Sequence, residues 1–260
     1  MSFEYFMDIL WRYMEESPLE FVAFFWFLFC WLGYNIVIDN FLRGSRGLSA
    51  RMHLYRVQWL NVTLRRDNRV VDVNIISNLQ SSMSFFASTS ILILAGLLAL
   101  LGATPQAFAI IKQIPFAVVP VKMIWYLKVF LLVFLFIYVF FKMTWSLRQL
   151  NYTSILIGAM PLSTDINRDT YASTARRAAL IATMAAKEMN RGLRAYYFSI
   201  AALAWFVSPL LFMIATASMV YILFQREFNS QIVKILSLPS KGEHQNKLAE
   251  IDSSFNEEKK

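Results

Sequence analysis

Residues 78–103 read NLQSSMSFFASTSILILAGLLALLGA. The run can cross a bilayer core of about 30 Å as one helix, since roughly 20 apolar residues suffice. Its first half nevertheless carries Ser81, Ser82, Ser84, Ser88, Thr89 and Ser90, where a plain lipid anchor could be nearly all leucine. At about 100° per residue, Ser77, Ser81, Ser84, Ser88, Ala95, Ala99 and Gly102 share one side, with Ser82, Thr89, Gly96 and Ala103 beside them. Small side chains let a second helix approach closely, and hydroxyls can hydrogen-bond across the contact. We take Ser81, Ser84, Ser88, Thr89, Ala95 and Gly96 as a candidate path or packing face, its hydroxyls meeting either water or another helix.

The surrounding composition fits this reading. A chain of 260 residues that is 57% hydrophobic and 16% aromatic, with mean hydropathy +0.47, is an integral membrane protein rather than a soluble domain. Three further apolar stretches are candidate spans: Leu19–Ile38, Ile124–Phe141 and Tyr196–Phe224. Ile124–Phe141 has Lys128 in its first turn, which is expected to snorkel to the headgroups. The last holds 29 residues and contains Pro209, so a tilted or kinked crossing is expected. The acidic opening, MSFEYFMDILWRYMEESPLE, is not a secretory signal. Residues 1–18 instead read as an outer interfacial helix.

The net charge of +8 is arranged by topology, which argues against a nucleic-acid partner. Lys and Arg number one before the first span (Arg12), seven in the first loop, three around the second, eight in the third and six in the tail. That alternation predicts basic loops over 39–82 and 142–195 in the cytoplasm, both termini outside, and a plasma (inner) membrane location. The tail is the ambiguous part, because its six basic residues are matched by six acids.

The expected fold is therefore all-α, with four transmembrane helices across residues 19–228, long amphipathic cytoplasmic helices forming a bundle, and a disordered tail over 229–260. Within the bundle, Ala172, Ala175, Ala179, Ala182, Ala186, Met189 and Leu193 recur at steps of three and four, a seam for close helix contact. Asp39, at the inner end of the first span, is read as an interfacial carboxylate or as a pairing partner for Arg43 or Arg51. Arg191, Arg194, Tyr196 and Tyr197 lie where the bundle meets the last span, either as interfacial anchors or as a coupling element.

No phosphate-binding loop, dinucleotide fingerprint, nucleophile elbow or zinc motif occurs, and His53 and His244 stand alone. The chain is accordingly expected to be non-enzymatic, with no cofactor and no metal site. Its partners would be the bilayer and, through the small-residue face, further copies of itself.

Three blocks then carry a resemblance: NLQSSMSFFASTSILILAG, WSLRQLNYTSILIG, and NRGLRAYYFSIAALAWFVSP followed by FQREFNS. In this order the chain resembles domain-of-unknown-function family 599 over about residues 30–230. The resemblance implies a four-span membrane protein and carries no catalytic residue with it. Two functions stay open on the sequence: an oligomeric channel or small-solute transporter, and a non-conducting scaffold that binds a partner through its bundle.

Overall fold

The computed structural model describes residues 17–41, 47–111, 113, 122–161 and 171–236. The outer interfacial helix expected over 1–18 lies almost wholly outside the described residues, and so does the tail expected over 229–260 from residue 237 on, whereas its Gln231–Leu236 segment is helical. Every regular element among the described residues is helical. These are α1 (Pro18–Ile36), α2 (Leu48–Thr63), α3 (Val70–Gly102), α4 (Thr104–Ile111), α5 (Lys122–Gly158), α6 (Ala172–Leu203), α7 (Pro209–Phe228) and α8 (Gln231–Leu236). Four helices are long and apolar enough to cross a membrane: Pro18–Asp39, Val70–Gly102, Lys122–Gly158 and Pro209–Leu236.

Local chemistry accounts for the boundaries. Pro18 occupies the first turn of α1, where its missing N–H costs nothing. Past Ile36 the helix widens into one π turn, Val37–Phe41. Between α6 and α7 the chain tightens into a 3₁₀ turn, Ala204–Phe206, and Pro209 then starts a new helix.

The chain divides into two compact units. A membrane unit takes the chain through Phe41, Ser88–Phe140 and Arg191–Leu223. A bundle unit takes Leu42–Ala87, Phe141–Asn190 and the chain from Phe224 onward.

The membrane unit is packed by aromatic rings around Phe27, which is fully buried. Phe27 meets Trp31 at 6.4 Å, Phe198 edge-on at 5.8 Å and Phe212 stacked at 5.2 Å. Lipid offers no hydrophobic gain to helix association, so interlocking of this kind holds the unit together. Each aromatic pair adds about 0.5–1.5 kcal/mol beyond its buried area.

These contacts also set helix directions. Lys128 reaches Glu20, while Phe134 and Tyr138 meet Trp31, so α5 runs parallel to α1. Arg194 lies at Asp39 and Tyr34, Phe198 at Phe27, and Trp205 at Phe24 and Glu20, so α6 runs antiparallel to α1. Phe198 and Phe212 both touch the Phe27 ring. The two rings are thus within about 11 Å, whereas an unbroken helix would set their Cα atoms about 21 Å apart along its axis, more than the side chains can close. The chain therefore doubles back at Ala204–Ser208, and Tyr196–Phe224 is a helical hairpin rather than one kinked span. The Trp205–Phe212 stack, 4.8 Å between centroids, closes its tip.

The bundle unit has a different core, made of Val57, Leu60, Leu64, Ile76, Met83, Leu150, Ile157, Met160, Ala175, Ala178, Ala179 and Ala185. Of the expected alanine seam of α6, Ala175, Ala179 and Ala182 are buried, and the buried face extends to one side of it. Ala178 and Ala185 are fully buried, whereas Ala172 is exposed and Ala186 half-buried. Alanine leaves room for backbone approach: the Ser146 hydroxyl donates to the Ala185 carbonyl at 2.5 Å. At the other end, the Arg69 guanidinium takes the free carbonyls closing α5, from Ile157 (3.1 Å), Met160 (2.6 Å) and Pro161.

Candidate functional site

The serine-bearing face of α3 is turned away from the other described residues. Asp72, Ile76, Met83, Ala87, Ser90 and Leu97 are the buried residues of this helix, and they fall on one side. Ser77, Ser81, Ser84, Ser88, Ala95, Ala99 and Gly102 lie roughly opposite and are exposed, as are Ser82 and Gly96. Thr89 sits at the margin, half-buried and bonded within the chain. Only 11% of the apolar window of α3 is buried, against 50% for α5. The apolar window of the helix richest in hydroxyls is thus the least enclosed of the four, and that of α5 the most.

Intrachain packing does not explain the small residues. A Cβ added to Gly96 or Gly102 would meet no atom within 4 Å. The Ser82 hydroxyl donates to the Asn78 carbonyl one turn back, at 3.1 Å, which satisfies it without water. Ser90 is fully buried on the opposite side.

Two ionic groups are buried in the membrane unit. In the first, Lys128 is only 2% exposed and does not snorkel. Its ammonium donates to Glu20 Oε1 at 3.0 Å and to the Trp205 carbonyl at 2.9 Å, and lies 5.4 Å from the Trp205 ring. The Trp205 indole N–H donates to the second oxygen of Glu20. An acid from α1, a base from α5 and the carbonyl exposed by the hairpin turn cancel one another.

The second group joins residues that the sequence places in separate sets. Asp39 accepts from Arg191 Nε at 2.5 Å and from Arg194 at 3.1 Å. Arg194 also lies 5.9 Å from the Tyr34 ring. The carboxylate of α1 is thus held by two arginines of α6, one turn apart. Arg51 instead donates to the Leu236 carbonyl at 3.1 Å, and Arg43 lies outside the described residues. Tyr196 packs edge-on against Phe136 at 5.4 Å, and Tyr197 is half-buried.

In the bundle unit, Asp72 is fully buried and its Oδ1 accepts three bonds: from Trp59 (2.6 Å), Thr63 (3.0 Å) and Arg66 (2.9 Å). His53 Nδ1 lies 2.9 Å from the Thr183 hydroxyl. Among the described residues, no group of three His, Cys, Asp or Glu side chains could hold a metal ion. An open groove of about 460 Å³ against α1 is lined by Pro18, Phe21, Val22, Phe25, Trp26, Phe29 and Met213. Those side chains suit lipid tails and supply nothing to orient a polar solute.

Sequence reasoning missed Glu20 and Trp205. The one available signal was an acid just inside Pro18, which reads as an ordinary first-turn carboxylate.

Four apolar helices, aromatic interlocking and paired intramembrane charges define an all-helical integral membrane protein. Residues 22–232 match the family described as "Protein of unknown function, DUF599", and the chain belongs to that family. No curated protein and no solved structure matches it.

Proposed function

We propose that the protein is a subunit of a homo-oligomer in the plasma (inner) membrane, and that a polar path for an ion or small solute runs between copies along the serine-bearing face of α3. The observation that carries this reading is the outward orientation of Ser81, Ser84, Ser88, Ala95 and Gly96, all exposed on a helix whose apolar window is only 11% buried. A lipid-facing helix gains nothing from such residues, whereas a facing helix gains close packing and a water path gains hydroxyl partners. Charges inside the membrane unit are already paired, so they do not offer themselves as coupling groups for a proton- or ion-driven carrier.

One observation favours a second reading, the non-conducting scaffold. The Ser82 hydroxyl is spent on its own helix, a bond that dry helix–helix contact tolerates. The test is reconstitution in vesicles, with ion flux and oligomer mass measured on the same preparation. The proposal expects an oligomer that conducts, and loss of flux when Ser84, Ser88 and Thr89 are replaced together by leucine. An oligomer without flux would leave the scaffold, and a monomer would remove both the path and its assembly.

A further inference from the structure

We infer that the carboxyl-terminal segment returns to the side of the membrane that holds the basic loops, because the chain crosses the bilayer a fifth time in the second half of α6. This inference is independent of whether the protein conducts or oligomerises.

The argument starts from α1, a full span. At its amino-terminal end Glu20 meets Trp205, and at its carboxyl-terminal end Asp39 meets Arg191 and Arg194. Between them Phe27 meets Phe198. Residues 191–203 of α6, with Trp205 of the turn that follows, therefore accompany α1 along its whole length. That segment rises about 21 Å, and the arginine stems reach the remaining distance. It is too short and too interrupted to register as a long apolar helix. Enclosure by α1 and α5 explains why it need not be one, since Phe198, Ala201, Ala202 and Trp205 are buried in protein rather than facing lipid.

After the turn at Ala204–Ser208, α7 sets out in the direction of α1. Phe212 and the Met213 carbonyl meet Phe27 and the Trp26 indole, level with the middle of α1. Where α7 ends supplies a second, separate observation. Glu227 Oε1 accepts the Ser49 backbone N–H at 3.0 Å at the start of α2, and Arg51 donates to the Leu236 carbonyl at 3.1 Å. Residues 227–236 therefore pack with the start of the first basic loop.

Charge agrees. With this topology Arg226, Lys234, Lys241, Lys247, Lys259 and Lys260 join the two basic loops, leaving only Arg12, Lys112, Lys122 and Lys128 elsewhere. The positive-inside pattern, ambiguous at the tail when that segment is placed outside, becomes consistent along the chain.

The experiment is single-cysteine labelling of the full chain in cells with a membrane-impermeant maleimide. Cys30→Ser supplies the background, and Gln113→Cys and Arg65→Cys report the two faces; both positions are exposed. Asn229→Cys, also exposed, is the probe. It is expected to label as Arg65→Cys does and oppositely to Gln113→Cys, with every site reacting after detergent treatment. Labelling of Asn229→Cys like Gln113→Cys, or from both sides, would overturn the inference. Should that variant fail to accumulate, alkaline phosphatase and a fluorescent protein fused after Lys260 give the same choice: fluorescence without phosphatase activity supports it, and phosphatase activity refutes it.

Discussion

Lys128 in the membrane unit and Arg56 in the bundle unit are both cations held away from water, yet their surroundings differ. Lys128 is matched by one carboxylate and one free carbonyl. Arg56 is half-buried on α2 with no carboxylate against it among the described residues, and burial pushes its guanidinium below the usual arginine range. Arginine stays charged regardless, and its stem can lead the head back to water. Lipid offers Lys128 no such exit, so its partner has to be built into the fold. Asp72 shows the bundle's other solution: it is fully buried, but Arg66 beside it is 39% exposed, so that pair keeps one foot in solvent.

The contrast can be broken most forcefully at Lys128. Lys128→Met leaves Glu20 buried without its base, and a loss of about 3–5 kcal/mol is expected in equilibrium unfolding in mixed micelles. Lys128→Met combined with Glu20→Gln should recover most of that loss. If the double variant is no better than the single one, the pair is not the source of the effect. Asp39→Asn comes next, at about 2–3 kcal/mol, because two charge-assisted hydrogen bonds weaken at once. Asp72→Ala strands the Trp59 indole donor and leaves Arg66 without its carboxylate, while the Thr63 hydroxyl keeps the Trp59 carbonyl, and should cost about 2 kcal/mol, measured the same way. Arg56→Met should move stability by less than about 1 kcal/mol in either direction, since no ion pair is lost. Smallest of all is Gly96→Ala: it should leave the unfolding midpoint unchanged while reducing the oligomeric fraction in cross-linking, because an added methyl meets nothing among the described residues.

The elements legible in the sequence were those that add up over many neighbouring residues. Hydropathy summed along Leu19–Ile38 or Met83–Ala103 marks a span whatever its neighbours do, and three ordered blocks carry the family. The small-residue face of α3 was equally visible as a periodicity, although the side of the helix it occupies relative to the core was not. What hydropathy could not reveal was reversal. AWFVSP is apolar on both sides, so one crossing of 29 residues and two crossings back to back have the same profile. The excess length, Pro209 and the ambiguous charge of the tail were its only traces. The ionic groups were hidden for another reason: Glu20 and Lys128 are 108 residues apart, and Asp39 and Arg194 are 155 apart. No local pattern connects them, and each alone reads as an ordinary helix-end charge.

Glycine at 47 follows the same logic of distance. A Cβ there would come within 3.2 Å of both Glu227 and Phe228, so the residue that begins α2 is chosen by a segment made far later.

That separation bears on biogenesis. At about 5–20 residues per second, Lys128 leaves the ribosome roughly 5–20 s after Glu20, and Trp205, 185 residues after Glu20, later still. The first span thus enters the bilayer carrying an acid whose base has not yet been made. Docking of α1 against α5 and the hairpin is consequently a post-insertion step, and nascent chains arrested before Lys128 are the ones a membrane protease should find open.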